Sequence, residues 1–519
     1  MVAIVGKVVI AIVIALIVRW GWKVLNWTWL KPKKLEKWLR EQGYQGNPYR
    51  LLIGDIKDLA TMMTEAKPKH IQISHDIFSH CLPFDHHIIT KYGKKSFTWF
   101  GPIPRIYVTD PELIKKILST PDDFQKPHPE PIRDSIIGGL LVTEGQKWIK
   151  HRKIINPAFH LENIKSMFSV ICSSCTDMIK KWELLTVGSG LVEIDVWPYI
   201  DNLAGDVISR TAFGSCYEEG QRIFRIQKEQ IDLMTQRLLT IHLPGGRFIP
   251  TRANKKYNEN NNTQRILLMG IIDKRKKAIA MGEDTNDDLL GILLKSNTKE
   301  IEEDGVGMSM EDVIEECKLF YIAGSETTSN LIVWTMVCLS LDQEWQTKAR
   351  EEIMQVFGNQ EIHFEGLKHL NIVTMILNEV LRLYPPGTMV TRATHKETQL
   401  GDMMIPSGVH ITIPIMHVHH DPELWGEDAT LFKPERFLEG IMGATKGKGS
   451  GCFLPFSGGP RVCIGQNFAM IEAKTAIAKI LQRFSFEFSP SYKHSPFPSF
   501  TLPPQYGVHL ILRANGLSP

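Results

Sequence analysis

The sequence carries almost no net charge and shows no internal repeat. Its 60 basic and 57 acidic residues leave a formal charge of only +3 over 519 residues. Such a balance argues against a protein that binds a nucleic-acid polyanion. Hydrophobic residues make up 43% of the chain and charged residues 23%, which is ordinary for a globular protein with a sizeable core.

A glycine-rich dinucleotide or flavin fingerprint is also missing from the chain. A protein that binds such a cofactor in a βαβ unit usually carries this fingerprint directly after a strand. If the chain performs redox chemistry, its electrons must therefore arrive from another protein.

Cysteine is scarce and scattered. Most cysteines lie in apolar helical patterns, where a free thiol behaves as a small buried hydrophobe in a reducing compartment. Cys172 and Cys175 have the spacing of a redox motif, but no βαβ pattern surrounds them, so we expect no catalytic or metal role there. The eight cysteines are Cys81, Cys172, Cys175, Cys216, Cys317, Cys338, Cys452 and Cys463.

The N-terminus is an apolar run from Val2 to Val18, interrupted only by Gly6 and Lys7. With its continuation to Leu25 the run is marginally long enough to span a bilayer, since about 20 residues cover the hydrocarbon core. No small-x-small cleavage site follows, which disfavours a secretory signal peptide. Basic residues follow instead, and such a flank stays cytosolic. We therefore expect a signal anchor; a buried N-terminal helix of a soluble protein is the alternative.

Three segments follow from these patterns. Residues 1–25 are the predicted transmembrane anchor, residues 26–50 a basic membrane-proximal linker, and residues 51–519 a single body. The linker contains a basic amphipathic stretch, which is suited to an anionic membrane surface.

Helical periodicity dominates the body from about residue 111 to 385, and short strands are predicted near both of its ends. A hairpin is predicted over residues 97–108. Residues 255–265 and 297–309 are polar and lack periodicity, which favours surface loops. The pattern predicts one mainly helical α+β body with small β-sheets, rather than three domains.

The stretch "PFSGGPRVCIGQNFAM" isolates Cys463 where a glycine-rich loop meets a helix. A thiol at a helix N-terminus is expected to have a lowered pKa, because the helix dipole and the free N–H groups favour the anion. Gly459 is expected to let the backbone approach a flat group closely, and Gly465 to leave space beside the sulfur. Arg461 adds a positive charge two residues away. The loop is therefore predicted to present one anionic sulfur to a planar metal centre.

Phe456, Gly459, Arg461, Cys463 and Gly465 match F-x-x-G-x-R-x-C-x-G, and with this motif the chain resembles the cytochrome P450 family. The resemblance implies the fold of that family and a haem b held by this loop. Cys463 is then the axial thiolate ligand of the iron.

Glu379 and Arg382 lie one helical turn apart, so that the carboxylate and the guanidinium share a face and can form a bidentate pair. The segment "FKPERF" offers Arg436 as a third member. Together they resemble the family's Glu–Arg–Arg cluster, whose implied role is structural, holding the cysteine loop in register.

A long apolar helix is predicted around Gly324, Ser325, Glu326 and Thr327. An acid and an alcohol are costly inside a buried helix, although threonine can bond back to a carbonyl within its own helix. The segment resembles the family's oxygen-activation motif. The resemblance implies that Gly324 opens a groove beside the iron, while Glu326 and Thr327 deliver protons to dioxygen. Ser325 stands where close plant relatives usually carry glutamine.

Trp148 and Arg152 have W-x-x-x-R spacing, one helical turn apart, and both side chains can donate to a carboxylate. In the family such a pair holds a haem propionate, and Arg392 resembles another propionate contact. A solvated basic face would explain the stretch Lys150–Lys153 equally well. We assign its other residues to a surface that docks a partner.

The segment "HVHHDP" holds His417, His419 and His420, which invites a metal hypothesis. No second cluster has the spacing of zinc ligands, so we expect surface or structural histidines.

The resemblance extends to the plant group that contains secologanin synthase and 7-deoxyloganic acid hydroxylase, carried by "VIEECKLFY", "EVLRLYPP" and "FKPERF". Members of that group oxidise terpenoids: iridoids, triterpenes and gibberellins. The resemblance implies a monooxygenase of the endoplasmic reticulum membrane that faces the cytosol and uses O2 and electrons from NADPH through a flavoprotein reductase. Its pocket is expected around residues 120–140, 230–250, 385–392 and 498–502.

Two other classes remain open from the residues alone. A haem-thiolate isomerase or dehydratase would need no reductase, but such enzymes typically lack the pair formed by Glu326 and Thr327. A haem sensor or electron carrier would need no oxygen-activation groove.

Overall fold

The computed structural model describes residues 2–127, 138–214, 217–238, 251–282 and 288–515. Within these ranges the chain is mainly helical, as predicted. In chain order the α-helices are α1 (Val2–Leu25), α2 (Lys31–Glu41), α3 (Ile56–Ala66), α4 (Phe78–Cys81), α5 (Pro83–Tyr92), α6 (Pro111–Ser119), α7 (Gly145–Ile155), α8 (Leu161–Thr186), α9 (Trp197–Phe213), α10 (Tyr217–Leu238), α11 (Arg252–Ala280), α12 (Leu289–Asp304), α13 (Met310–Leu341), α14 (Gln343–Phe357), α15 (Asn371–Leu383), α16 (Ile415–His420), α17 (Pro422–Trp425), α18 (Gly440–Ala444) and α19 (Gln466–Arg483).

Three small sheets accompany the helices. The described strands are β1 (Gln45–Gly46), β2 (Ser96–Phe100), β3 (Ile103–Tyr107), β4 (Leu191–Asp195), β5 (Val390–Ala393), β6 (Thr398–Leu400), β7 (Met403–Ile405), β8 (His410–Ile413), β9 (Phe484–Phe488) and β10 (His509–Ala514). Their orders are β1-β2-β3-β8-β5, β4-β10-β9 and β6-β7. The predicted hairpin is confirmed, since β2 and β3 pair antiparallel with Phe97 opposite Ile106.

Helix α13 forms the centre of the core. It begins at a capping box in which Ser309 accepts from the Asp312 N–H and the Asp312 side chain accepts from the Ser309 N–H, satisfying free donors at the helix start. Most of its residues are buried, and it packs against α9, α15 and α19. A helix that is apolar on nearly every side is stable only when other elements surround it. The 32-residue α13 is therefore the axis around which the remaining helices are arranged.

Both predicted polar loops are wrong in part. Residues 255–265 lie inside α11, which starts where the Thr251 side chain accepts from the Asn254 N–H. Asn260 is buried and donates to Glu229 on α10 at 3.0 Å, while Asn258 and Asn262 remain exposed, so part of this polar segment meets another helix. Residues 297–304 belong to α12, and Asn297 bonds both backbone groups of Met308 in the following turn. The buried polar residues can be helical here because groups elsewhere in the fold form hydrogen bonds with their side chains.

Helix α1 is exposed from Ile4 to Leu25, and the apolar stretch within Ile4–Glu41 is a candidate membrane span by length and composition. A π-helical turn over Asn26–Leu30 joins it to α2. The Tyr49 hydroxyl donates to the Thr28 carbonyl at 2.6 Å and accepts from the Leu52 N–H at 3.1 Å. The predicted linker is therefore largely helical and is bonded to the body.

Candidate active site

The cysteine loop consists of a 3₁₀ turn over Gly459–Arg461 followed by α19. The Cys463 N–H donates to the Phe456 carbonyl at 2.9 Å, which closes the loop across the motif. The Cys463 side chain is accessible, unlike the other cysteines whose burial is described. Gly459 has a φ of +66°, and a side chain there would collide with the Leu118 carbonyl at the end of α6. Gly459 therefore lies close to the backbone of α6, whereas the sequence predicts a close approach to a flat ligand.

The predicted influence of the helix terminus on the sulfur is present, but it is outweighed by burial. Burial raises the pKa of the Cys463 thiol, while the Gly465 N–H and the positive charge of Arg152 lower it. The cation that acts on the sulfur is Arg152 instead of Arg461. A bound metal ion deprotonates the thiol that coordinates it. Iron coordination, and not the helix terminus alone, therefore has to supply the anionic form.

Three predicted haem contacts meet beside this loop. Arg152 donates to the Val462 carbonyl at 2.9 Å. Arg461 pairs with Glu144, and its guanidinium carbon lies 4.3 Å from the centroid of the Trp148 ring. The Nε of Arg461 is buried and has no hydrogen-bond partner among the described residues. An unsatisfied buried donor costs about 1–3 kcal/mol, so this N–H fits a ligand carboxylate.

Arg392 lies apart in sequence, on β5 at the edge of the five-stranded sheet. Its side chain is almost fully buried, and its Nη1 donates to the Thr391 carbonyl at 3.0 Å. With an accessible thiol and several guanidinium groups, this donor set fits an iron porphyrin that carries two carboxylates. The individual propionate contacts stay predictions.

Glu379 and Arg382 form the predicted bidentate pair, with contacts of 2.8 and 2.7 Å, and both side chains are fully buried. Arg436 lies 3.4 Å from the same carboxylate and also pairs with Asp428. The remaining N–H groups of Arg382 donate to backbone carbonyls of residues 419, 429 and 431. All five donors of the guanidinium are thus satisfied, which a buried charge requires.

His419 connects this cluster to the cysteine loop. Its Nδ1 lies 3.1 Å from the Arg382 carbonyl, and its Nε2 accepts from the Leu454 N–H at 2.8 Å. Burial lowers the pKa of His419 well below its usual value, so the ring is neutral and one tautomer serves both bonds. His420 bonds the Leu383 carbonyl at 2.9 Å. The hydrogen bonds of His419 and His420 to backbone groups support the predicted structural role.

The middle of α13 exposes a narrow face. Ala323 is exposed and Thr327 is partly exposed, although their neighbours along the helix are mostly buried. The two residues are four apart and therefore share one side of the helix. The Thr327 hydroxyl donates to the Ala323 carbonyl at 2.6 Å. A side chain at Gly324 would instead meet Ile208 of α9 at 2.6 Å. Gly324 thus permits close helix packing, and Ala323 lies on the open side.

Glu326 faces a cleft of about 510 Å³ between α9, α10 and α13, on a different side of the helix from Thr327. Thr501 donates to its carboxylate at 3.0 Å. Burial raises the pKa of Glu326 to about 7, modulated by Asp201, Lys228 and Asp232 around the cleft. Ser325 also lines this cleft.

The predicted partner-docking face is smaller than expected. His151 is buried, and its Nδ1 lies 2.6 Å from Glu316 of α13. Lys153 pairs with Glu300 at 2.8 Å and with Asp304 at 3.1 Å. The stretch over residues 150–153 is therefore largely occupied by contacts within the chain.

An accessible cysteine before a helix, guanidinium donors around its loop and an acid–alcohol pair on the central helix are features of a haem-thiolate oxygenase. The family model described as "Cytochrome P450" matches residues 72–511 of this chain. The chain belongs to the cytochrome P450 family. It is a haem-dependent monooxygenase that uses O2.

Similar plant proteins match along nearly the whole chain. Cytochrome P450 CYP72A219 of Panax ginseng is 52% identical and covers 96% of this chain and 97% of its own length. Cytochrome P450 72A15 of Arabidopsis thaliana is 51% identical, with 98% and 99% covered. A 7-deoxyloganic acid hydroxylase of Catharanthus roseus is 49% identical, with 98% of each chain covered. The resemblance inferred from the motifs is confirmed.

Sequence reasoning misses some contacts that shape the site. Glu144 carries no local motif, and its partner Arg461 lies 317 residues away in the chain. Thr501 falls in a segment predicted to line the pocket, but no local pattern indicates its bond to Glu326. Only the fold shows that His419 joins the Glu379–Arg382 cluster to the cysteine loop.

We predict that His419→Leu loosens the cysteine loop, because it leaves the Leu454 N–H and the Arg382 carbonyl without partners. Two such buried groups cost about 2–6 kcal/mol together. The variant is expected to lose most of its bound haem, measured as the carbon monoxide difference spectrum of the reduced protein per mole of chain.

His417→Leu is the matched control. It lies two residues away on the same short helix, and its Nε2 has no hydrogen-bond partner among the described residues. Equal haem retention in the two variants would show that His419 does not hold the cysteine loop in place.

Proposed function

We propose that the protein is a membrane-anchored monooxygenase that inserts one oxygen atom of O2 into a C–H bond of a hydrophobic plant terpenoid. Its electrons come from NADPH through a separate flavoprotein reductase. The observation that supports the chemistry most directly is the accessible sulfur of Cys463 together with the open Ala323–Thr327 face of α13. The likeness to a 7-deoxyloganic acid hydroxylase supports the terpenoid class.

When bound, the haem supplies O–O cleavage favoured by a thiolate ligand. The chain's own contribution begins with Cys463, which presents its sulfur from a loop closed by the Phe456 carbonyl. Glu379 and Arg382 hold the surrounding segments through bonds to the backbone. A rigid ligand loop lowers the reorganisation needed during turnover.

Protons reach the site from the charged cleft. Glu326 lies between the cleft and the core, and a carboxyl with a pKa of about 7 can both take up and release a proton near neutral pH. The adjacent Thr327 hydroxyl donates to a helix carbonyl and keeps its oxygen as an acceptor on the open face. In this proposal Glu326 takes up the proton from the cleft, and Thr327 positions the water to which the proton is transferred.

The reductase is proposed to dock on the side of Lys446 and Lys448. Both are exposed just before the cysteine loop, and no ion pair within the described residues involves either of them. Opposite charges steer the encounter of redox partners. Lys153 contributes less because Glu300 and Asp304 already neutralise it.

The apolar α1 supports an anchor over residues 1–25, and the basic segment after it supports a body in the cytosol over residues 51–519. We propose the endoplasmic reticulum membrane, where such a reductase meets its partners.

We predict that product formation falls as the pH rises through about 7, because the protonated form of Glu326 is then lost. Glu326→Gln keeps an acceptor for Thr501 but has no proton to release, so its product yield per O2 consumed is expected to be low and nearly independent of pH. The measurement is product against NADPH consumption from pH 6 to about 8.5, the range that brackets this group's titration. An unchanged pH profile in the variant would contradict the role.

We predict that Lys446→Glu combined with Lys448→Glu raises the reductase concentration needed for half-maximal turnover several-fold. The reversed charges repel an acidic partner, while haem content stays unchanged. Lys153→Glu, whose partners lie within the chain, is the control and is expected to shift this concentration less. A larger effect of Lys153→Glu would indicate that the reductase docks on α7 instead of near Lys446 and Lys448.

We predict that microsomes containing the protein and a plant reductase convert at least one compound from a panel of iridoids, triterpenes and gibberellins. The added oxygen is expected to derive from labelled O2, detected by mass spectrometry. Cys463→Ala is the inactive control because it removes the axial ligand. Turnover without reductase or NADPH would point to a different reaction, and haem-loaded protein that converts no panel member would exclude these terpenoids.

A further inference from the structure

A chain of oxidisable aromatic residues runs from α13 toward the surface. Trp334 lies seven residues after Thr327, which places it on nearly the same side of α13 and about 10 Å further along the helix. Its ring stacks on Tyr384 with 4.6 Å between the ring centroids and 12° between the planes. Both side chains are buried. Stacking at this distance gives the two rings direct electronic contact.

Histidines supply a base for each tyrosine of this chain. The Tyr384 hydroxyl lies 3.0 Å from the Nδ1 of His75, and the Tyr492 hydroxyl lies 2.7 Å from the Nδ1 of His494. The Nε2 of His494 donates to the Ser74 carbonyl at 3.1 Å, so that its Nδ1 is the acceptor. Burial lowers the pKa of His75 to about 3 and that of His494 to about 4. Both rings are therefore neutral, so that each keeps one ring nitrogen without a proton.

The hydrogen-bond partner of Trp334 differs from those of the two tyrosines. Its Nε1 donates to the Leu502 carbonyl at 2.7 Å, and a carbonyl is too weak a base to remove a proton. Oxidised Trp334 therefore keeps its proton, whereas each tyrosine can lose an electron and a proton together. The His494 ring connects the two tyrosines, with its centroid 6.2 Å from that of Tyr384 and 5.9 Å from that of Tyr492. Tyr492 is the outermost of the three aromatic residues and lies between the exposed residues Ser491 and Lys493.

We propose that Trp334, Tyr384 and Tyr492 form an electron relay that protects the site from oxidation when no substrate is bound. The histidines beside the tyrosines act as its proton acceptors. The assembly plays no part in substrate oxidation and serves a second, protective reaction.

The reaction balances one electron at a time. Trp334 would give one electron to a haem that peroxide has oxidised, and would become a radical cation. Tyr384 returns an electron to Trp334 and passes its phenolic proton to His75. Tyr492 then reduces the Tyr384 radical, which recovers the proton from His75, while the Tyr492 proton moves to His494. A soluble thiol or ascorbate reduces Tyr492 at the surface, and the proton on His494 returns to the phenol.

The test uses the haem-loaded full-length protein without substrate, mixed rapidly with hydrogen peroxide and frozen. Electron paramagnetic resonance, with ring-deuterated tyrosine to assign the signal, is expected to detect a tyrosyl radical. Trp334→Phe is expected to lower the radical yield several-fold and to accelerate haem bleaching. In Tyr384→Phe the signal is expected to move from tyrosine to tryptophan.

Two variants provide matched controls. Trp182 is as deeply buried as Trp334, but it lies on α8 against Phe484 and Tyr199. Tyr107 donates to a buried acceptor, Asp85, at 2.6 Å, but no tryptophan in the described part of the chain stacks on it. Trp182→Phe and Tyr107→Phe are therefore expected to match the wild type in radical yield and bleaching.

The same radical yield and bleaching rate in Trp334→Phe as in the wild type would overturn the proposal, as would a tyrosyl signal that survives when both Tyr384 and Tyr492 are phenylalanine. If Trp334→Phe fails to retain haem, Tyr492→Phe decides the question, because its ring lies at the outer end. In that variant the radical on Tyr384 is expected to outlive ascorbate that quenches it in the wild type; equally rapid quenching would refute the relay.

Discussion

The buried ion pair between Glu379 and Arg382 is the interaction on which the arrangement of the site depends. Removing two charges from water costs several kcal/mol per ion, so the pair persists only because its hydrogen-bonding groups are satisfied. Arg382 uses all five donors, and Glu379 also accepts from the Lys433 N–H at 2.9 Å. Each of these bonds fixes a piece of backbone. The pair therefore organises the chain around it more than it stabilises the fold by its own attraction.

His419 links the cysteine loop to this cluster and so helps to fix the position of the loop. The loop has no continuous secondary structure of its own before α19, and a side chain at Gly459 would be incompatible with the backbone of α6. It is therefore held from three directions: by α6, by the arginines around Trp148, and by the histidine that bonds Arg382 and Leu454. This explains how segments separated by more than 80 residues produce one ligand of fixed orientation.

How much the sequence predicts depends on whether the determining contacts are local. The hairpin around residue 101 and the bidentate pair follow from spacing, and both are present. The polar segment 255–265 was mistaken for a loop because its partners, such as Glu229, lie on another helix. Arg461 and Gly324 also have contacts that no local pattern indicates. Arg461 pairs with Glu144, and the absence of a side chain at Gly324 leaves room for Ile208. The haem-related roles of both residues stay predictions.

The bond from Tyr49 to the Thr28 carbonyl has a practical consequence for preparing the enzyme without α1. Deleting residues up to Leu25 retains Thr28, the tilted ring contacts of Trp29 and Trp99 with Tyr49, and the start of α2. Cutting a few residues later removes the carbonyl that accepts from the buried Tyr49 hydroxyl. A shortened form for crystallisation is best begun at Asn26, the first residue after α1.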